Sequence, residues 1–126
     1  MFRLWLIMDF ERLKLEVYSI LRRLARLELR TIIKSIDSDT TLTFSEVADT
    51  FLVSCPSGNV LIILPSVSTT IGRPYTIKKI DAVNIVNIQP IEFSTIDGNL
   101  TYQLTTQWES ITFVSDGSQF YITSKV

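Results

Sequence analysis

Three carboxylates, Asp97, Glu109 and Asp116, are the side chains of this sequence whose type could carry catalysis. Two acids at a controlled separation are what glycoside hydrolysis requires, one to protonate the leaving oxygen and one to act as base or nucleophile. Asp97 and Asp116 each precede a glycine, however, and an Asp-Gly pair is explained by the turn it forms. The chain contains no histidine, so neither a Ser-His-Asp nor a Cys-His arrangement can be assembled. Its single cysteine, Cys55, is followed by Pro56 at the end of an apolar run, with no basic neighbour in sequence to lower its pKa. It reads as a small core or rim residue. The Cys/His ligand set of the usual zinc sites is missing, and the four glycines are too scattered to form a phosphate-cradling loop. The expectation is a protein that is not an enzyme and uses no metal or other cofactor.

Binding is better provided for than catalysis. Sugars stack their apolar faces on exposed aromatic rings and bond to polar groups beside them. Trp108, Tyr102, Phe120 and Tyr121 supply rings, with Gln107, Asn99 and Gln119 near them in sequence. Trp108 and Tyr102 are the candidate glycan contacts, because strand alternation directs at least one of Phe120 and Tyr121 into a core or subunit interface. Lys78 and Lys79 are adjacent on an extended segment, so they point to opposite faces and form no patch. One of them is available to an acid across a subunit interface.

Two kinds of element must carry these residues. Leu6, Phe10, Leu13, Val17, Ile20, Leu24 and Leu27 recur at alternating spacings of four and three, with no Gly or Pro between them. That is the heptad pattern of a coiled coil. With Phe10 at position a, Val17 and Leu24 follow at a, and Leu13, Ile20 and Leu27 at d. In a parallel coil the g and following e positions then pair Asp9 with Lys14 and Arg23 with Glu28, both opposite in sign. Leu21 at e widens the apolar stripe, as expected where more than two helices meet. Arg23 can lay its stem over the Leu24 layer while its guanidinium reaches Glu28. The expected assembly is a parallel homotrimer held by Phe10, Leu13, Val17, Ile20, Arg23, Leu24, Leu27 and Glu28, with a coil of about 30 Å. Phe2, Leu4 and Trp5 lie before the regular seam. They are read as the anchor to another protein, or as an apolar cap on the bundle.

From about Thr40 the hydrophobic period becomes two. Segments 42–44, 51–54, 60–64, 75–80, 83–88, 91–96, 100–105, 110–115 and 120–123 read as short strands. Ser57-Gly58-Asn59, Ile71-Gly72-Arg73-Pro74, Asp97-Gly98-Asn99 and Asp116-Gly117-Ser118 punctuate them as hairpin or tight turns. The domain division is thus 1–34 for the anchor and coiled-coil helix, 35–41 for a joint, and 42–126 for a β domain. The fold class is mainly β with an N-terminal helix, the β domain being a small antiparallel sandwich or jelly roll.

Charge divides along the same boundary. Residues 1–34 carry eight Lys/Arg against four Asp/Glu, a balance of +4, and residues 35–126 carry four against nine, a balance of −5. A basic helix can touch nucleic acid through phosphates, and Arg22, Arg26 and Arg30 would be the residues to do it. Here the arginines are interleaved with acids and with the seam, so no nucleic-acid partner is expected. The apolar run after Arg3 stops at Asp9, short of the roughly 7–15 residues of a secretory core or the roughly 20 of a membrane span. The expectation is no membrane span, with synthesis in a cytoplasm and export by another route, such as release within an assembled particle.

The succession Leu64-Pro65, Gly72-Arg73-Pro74-Tyr75-Thr76-Ile77-Lys78-Lys79-Ile80-Asp81, Ile96-Asp97-Gly98, Tyr102-Gln103-Leu104, Glu109-Ser110-Ile111 and Ser115-Asp116-Gly117-Ser118-Gln119-Phe120-Tyr121-Ile122 resembles a β module of bacteriophage and large-virus fibre and spike proteins. The likeness covers about residues 40–126, and its motifs are turns and strands. Phe120 stands where such modules often carry Trp, and a single coil replaces a long shaft. Arg23-Leu24-Ala25-Arg26-Leu27-Glu28 similarly resembles a short trimerisation signature of three-stranded coils. The resemblance implies a virion surface protein: a short trimeric head fibre, spike or capsid decoration protein docked on the capsid or another virion protein. Its alternative is a lectin-like adhesin that recognises host surface carbohydrate.

Overall fold

The computed structural model describes the backbone of residues 2–28 and 31–126, with side chains at 10–24 and 31–126. It divides into two compact units, residues 1–31 and 32–126.

The first unit is one helix, α1, Phe2–Glu28. Leucine, arginine and glutamate dominate it, residues that lose little side-chain freedom in a helix. Phe10, Leu13, Val17, Ile20 and Leu24 are between 46% and 67% exposed, a continuous apolar stripe left uncovered in the single chain. Leu21, 54% exposed, widens it, while Leu15 and Tyr18 are exposed off the seam. The side chains of Phe2, Leu4, Trp5, Leu27 and Glu28 lie outside the described residues.

The second unit contains nine strands: β1 Ile33–Ile36, β2 Thr40–Thr41, β3 Thr50–Val53, β4 Val60–Leu64, β5 Tyr75–Lys79, β6 Val86–Pro90, β7 Tyr102–Leu104, β8 Ser110–Ser115 and β9 Phe120–Lys125. They form a five-stranded sheet, β1-β3-β5-β8-β9, and a four-stranded sheet, β2-β4-β6-β7. From β1 to β6 the chain alternates between the sheets, and each strand lies parallel to the one two places earlier. This part is therefore a coil of three turns, two strands per turn. The remaining pairs, β5 with β8, β6 with β7 and β8 with β9, are antiparallel and close it.

The mainly β class with one N-terminal helix stands, but the antiparallel sandwich or jelly roll is corrected to two mixed sheets. Period-two alternation reports which face a residue occupies; it is silent on which sheet a strand joins and in which direction. Ser57-Gly58-Asn59, expected to make a hairpin or tight turn, does lie at a turn, but one that joins strands of different sheets, so it is an arch and not a hairpin. Asp116-Gly117-Ser118 does link the antiparallel pair β8 and β9. Asp97-Gly98-Asn99 is a tight turn closed by reciprocal bonds between Ile96 and Asn99 of 2.8 and 2.9 Å. Residues 91–95 form no strand, and Glu92 there has φ 60°. Residues 35–41, expected as a joint, complete β1 and supply all of β2.

The core lies between the sheets, where β4 and β5 alternate buried and half-buried positions along their whole length. Phe51, Ile77 and Ile111 stack in register across one sheet; Val60, Val86 and Leu104 do so across the other. All six are buried. The ring of Tyr75 lies between Phe51 and Phe113, with centroids 6.3 and 6.1 Å away, and the Arg73 guanidinium sits 4.8 Å over it.

The Tyr75 hydroxyl is buried with no hydrogen-bond partner among the described residues, and burial pushes its pKa up. An unsatisfied buried hydroxyl is a penalty, not a support. Tyr75→Phe is expected to leave stability unchanged or raise it by about 1 kcal/mol. Urea midpoints check this, and a clear loss would show that the hydroxyl is bonded in solution.

The outer edge of β9 is covered rather than left open. Phe120 exchanges backbone bonds of 2.9 Å with Thr95 and Asp97, and the Asp97 carboxylate accepts from the Ile122 N–H at 3.1 Å. Such capping blocks edge-to-edge pairing.

Candidate functional site

The carboxylates once considered for catalysis are each engaged with backbone N–H groups. Asp97 accepts from Ile122, Glu109 Oε2 from Thr105 and Thr106 at 2.9 and 3.2 Å, and Asp116 from Ser118 and Gln119 at 2.8 and 3.1 Å. The Ser118 and Gln119 amides hold Asp116 below its ordinary value, the opposite of what a general acid needs. Among the described residues no three His, Cys, Asp or Glu side chains gather as a metal would require.

Of the aromatic residues near the candidate glycan contacts, Phe120 is buried and meets Phe113 edge-on at 5.5 Å. Tyr121 accepts a bond from Gln119 Nε2 at 3.1 Å. Trp108 is different: it is 58% exposed, and its backbone has φ 73°. The Trp108 N–H donates to the Lys79 carbonyl at 2.8 Å, which fastens the loop before β8 to the end of β5. The indole borders a shallow depression lined also by Thr106, Gln107, Glu109, Lys125 and Val126. Lys125 reaches it because Ser110 and Val126 exchange two backbone bonds of 3.0 Å. Its ammonium lies 5.4 Å over the Tyr102 ring. Tyr102 and Trp108 thus share Lys125 as a neighbour, and the nearby phenol hydroxyl of Tyr102 pushes the Lys125 pKa up.

A second polar cluster was not read from the sequence. Lys79 is fully buried, and its ammonium donates to Asp81 Oδ1 at 2.6 Å, to the Asp81 carbonyl at 2.7 Å and to the Val83 carbonyl at 2.7 Å. An ammonium has three donors, and all three are used. Asp81 Oδ2 accepts from the Cys55 N–H at 2.6 Å, and Asn84 Nδ2 donates to the Cys55 carbonyl at 2.6 Å. Lys79 and then the Cys55 amide hold Asp81 below the ordinary carboxylate value. Burial pushes the Cys55 thiol up, with Asp81 adding to the effect. The thiol stays protonated and inert at neutral pH.

The acid that Lys79 meets is therefore in its own chain, and not in a neighbouring subunit. The signal was present: Tyr75 and Ile77 face inward, so alternation puts Lys79 inward, and Asp81 two residues on supplies the counter-charge. This cluster ties the end of β5 to the loops after β3 and β5. Its ammonium is sealed and fully bonded, while the Asp81 carboxylate is partly exposed.

Among the described residues no helix is long and apolar enough to cross a membrane. Of the expected trimerisation residues, Phe10, Leu13, Val17, Ile20 and Leu24 share the exposed stripe of α1; Arg23 borders a groove with Leu15, Tyr18, Ser19 and Arg22. Compared with protein-family models and with curated proteins, the chain matches none.

Proposed function

We propose that this chain is a virion structural protein: a short trimeric head fibre, spike or decoration protein whose helix forms a parallel three-stranded coil. The observation that carries the reading is the stripe Phe10, Leu13, Val17, Ile20 and Leu24, five large apolar side chains at heptad spacing and about half exposed or more. Such a surface is stable in water only when covered, and heptad spacing suits coverage by other helices. The likeness of residues 40–126 to viral fibre and spike modules supports placing the trimer on a particle surface. Phe2, Leu4 and Trp5 would then dock on the capsid or another virion protein. A β unit of under 100 residues also gains from packing in copies. Sedimentation equilibrium of the intact chain at micromolar concentration is expected to give the mass of three chains. A single-chain mass would overturn the trimer, and particles imaged by electron microscopy that lack the protein at their surface would overturn the virion placement.

A second reading is a lectin-like adhesin for host carbohydrate. The exposed indole of Trp108 beside Lys125 and Glu109 favours it. Glycan binding by the assembled protein is its test.

A further inference from the structure

Trp108 occupies a backbone conformation that side chains with a Cβ adopt with strain, and that bulky residues adopt least. Glycine or asparagine would make the same turn more easily. The core does not call for tryptophan either, since most of the side chain is in solvent. A costly residue at a strained, exposed position is explained by what its ring displays.

The surroundings say what would fit there. The loop is held rigidly, by the Trp108 N–H on Lys79 and by Glu109 Oε2 on two backbone amides. Glu109 binds the two backbone amides through Oε2 alone, which leaves Oε1 as an acceptor, and Lys125 lines the same depression with its ammonium 5.4 Å over the Tyr102 ring. The two charges offset one another. An anionic ligand would meet Glu109 unfavourably, whereas an uncharged polyol can use both groups at once.

Resting on the adhesin reading, we propose that this depression binds a neutral pyranose. The apolar C–H face of the sugar stacks on the Trp108 indole. A pair of vicinal hydroxyls donates to Glu109 Oε1 and accepts from Lys125, whose ammonium lies 5.4 Å over the Tyr102 ring.

The test presents the intact chain to an array of neutral and sialylated glycans, then titrates the bound neutral sugars as methyl glycosides by isothermal titration calorimetry. Neutral glycans are expected to bind, and Trp108→Gly and Glu109→Gln are each expected to weaken them about tenfold or more. Trp108→Gly is also expected to have a urea midpoint at or above that of the parent, because glycine relieves the strained φ. A lower midpoint would make the indole structural and overturn the argument from display. Neutral-sugar binding that survives both substitutions overturns this site and leaves the adhesin reading standing. Preference for sialylated glycans overturns the ligand class, and silence across the array overturns site and adhesin together.

Discussion

Ile20→Lys is expected to convert a three-chain sedimentation mass to a single-chain mass while the strand signal of the β unit persists. Ile20 sits at position d in the middle of the apolar stripe, so one substitution puts three ammonium groups into one layer of a three-stranded coil. Each buried, unpaired cation carries a desolvation penalty of roughly several kcal/mol even after relaxation, and three in one layer also repel one another. The helix signal should fall with the mass, because a helix of this length is marginal in water without packing on its apolar face. The β unit has its own core, which among the described residues begins at Ile36, and its urea transition is the control. A variant that remains three-chained would move the association to another surface. By contrast, removing one exposed ion pair of the proposed coil should change its stability by less than about 1 kcal/mol.

Asp81→Ala is expected to destabilise the β unit by about 3 kcal/mol, toward the lower end of the range for stranding a buried charge. Lys79 is 0% exposed and Asp81 23% exposed, so water reaches the carboxylate but not the ammonium it pairs. The substitution leaves that ammonium with two carbonyl partners and no counter-ion, and it orphans the Cys55 N–H. Against a total stability of roughly 5–15 kcal/mol, this is a large fraction. Equilibrium urea unfolding measures it, and a loss below about 1 kcal/mol would mean that water enters and solvates Lys79.

The same pair sets a pH dependence whose sign follows from Asp81. Its folded value is depressed below the ordinary 3.8 by the Lys79 ammonium and then the Cys55 amide. The unfolded chain therefore takes up the proton first as pH falls. The stabilisation is fully present above the ordinary value and is lost as pH drops through the lower folded one. Urea midpoints of the parent should fall more steeply below about pH 4 than those of Asp81→Ala. Parallel curves would show that other carboxylates control acid unfolding.

Much of this architecture was legible because hydrophobic period is a local property. The seam of α1 reads directly from spacings of three and four, and the strands within 51–54, 60–64 and 75–80 read from a period of two, which the structure resolves into the buried Phe51, Val53, Val60, Ile62, Leu64, Tyr75 and Ile77. The strand β1 was missed because Ile32, Ile33 and Ile36 follow a helix without a turn residue between, so the helical period runs visually into them. Lys79 was legible by position but not by type. A lysine at an inward site is buried only if all three donors find partners, and those partners are set by the loop at 81–83.

The candidate glycan contacts show the same division. Trp108 and Tyr102 were identified from residue type, and alternation assigned at least one of Phe120 and Tyr121 to a core or interface without deciding which; Phe120 is the buried one. Lys125 was not identified, since 17 residues separate it from Trp108 and only the pairing of Ser110 with Val126 brings it there. The positive φ of Trp108 has no composition signal either, because Trp108 stands third in a turn, closed by the Glu109 N–H on the Thr106 carbonyl, at a position where glycine or asparagine is the usual mark.

By itself, then, the sequence determined an amphipathic helix with an apolar stripe, a β unit of short strands with a period of two, and turns at its Asp-Gly pairs. Each depends on neighbours within a few residues. Tertiary structure alone decided that the first six strands wind in parallel between two sheets, that Lys79 is sealed in with Asp81, and that Trp108 is held outward beside Lys125. Those outcomes depend on which distant backbone groups satisfy one another, and a one-dimensional pattern of polarity does not encode that choice.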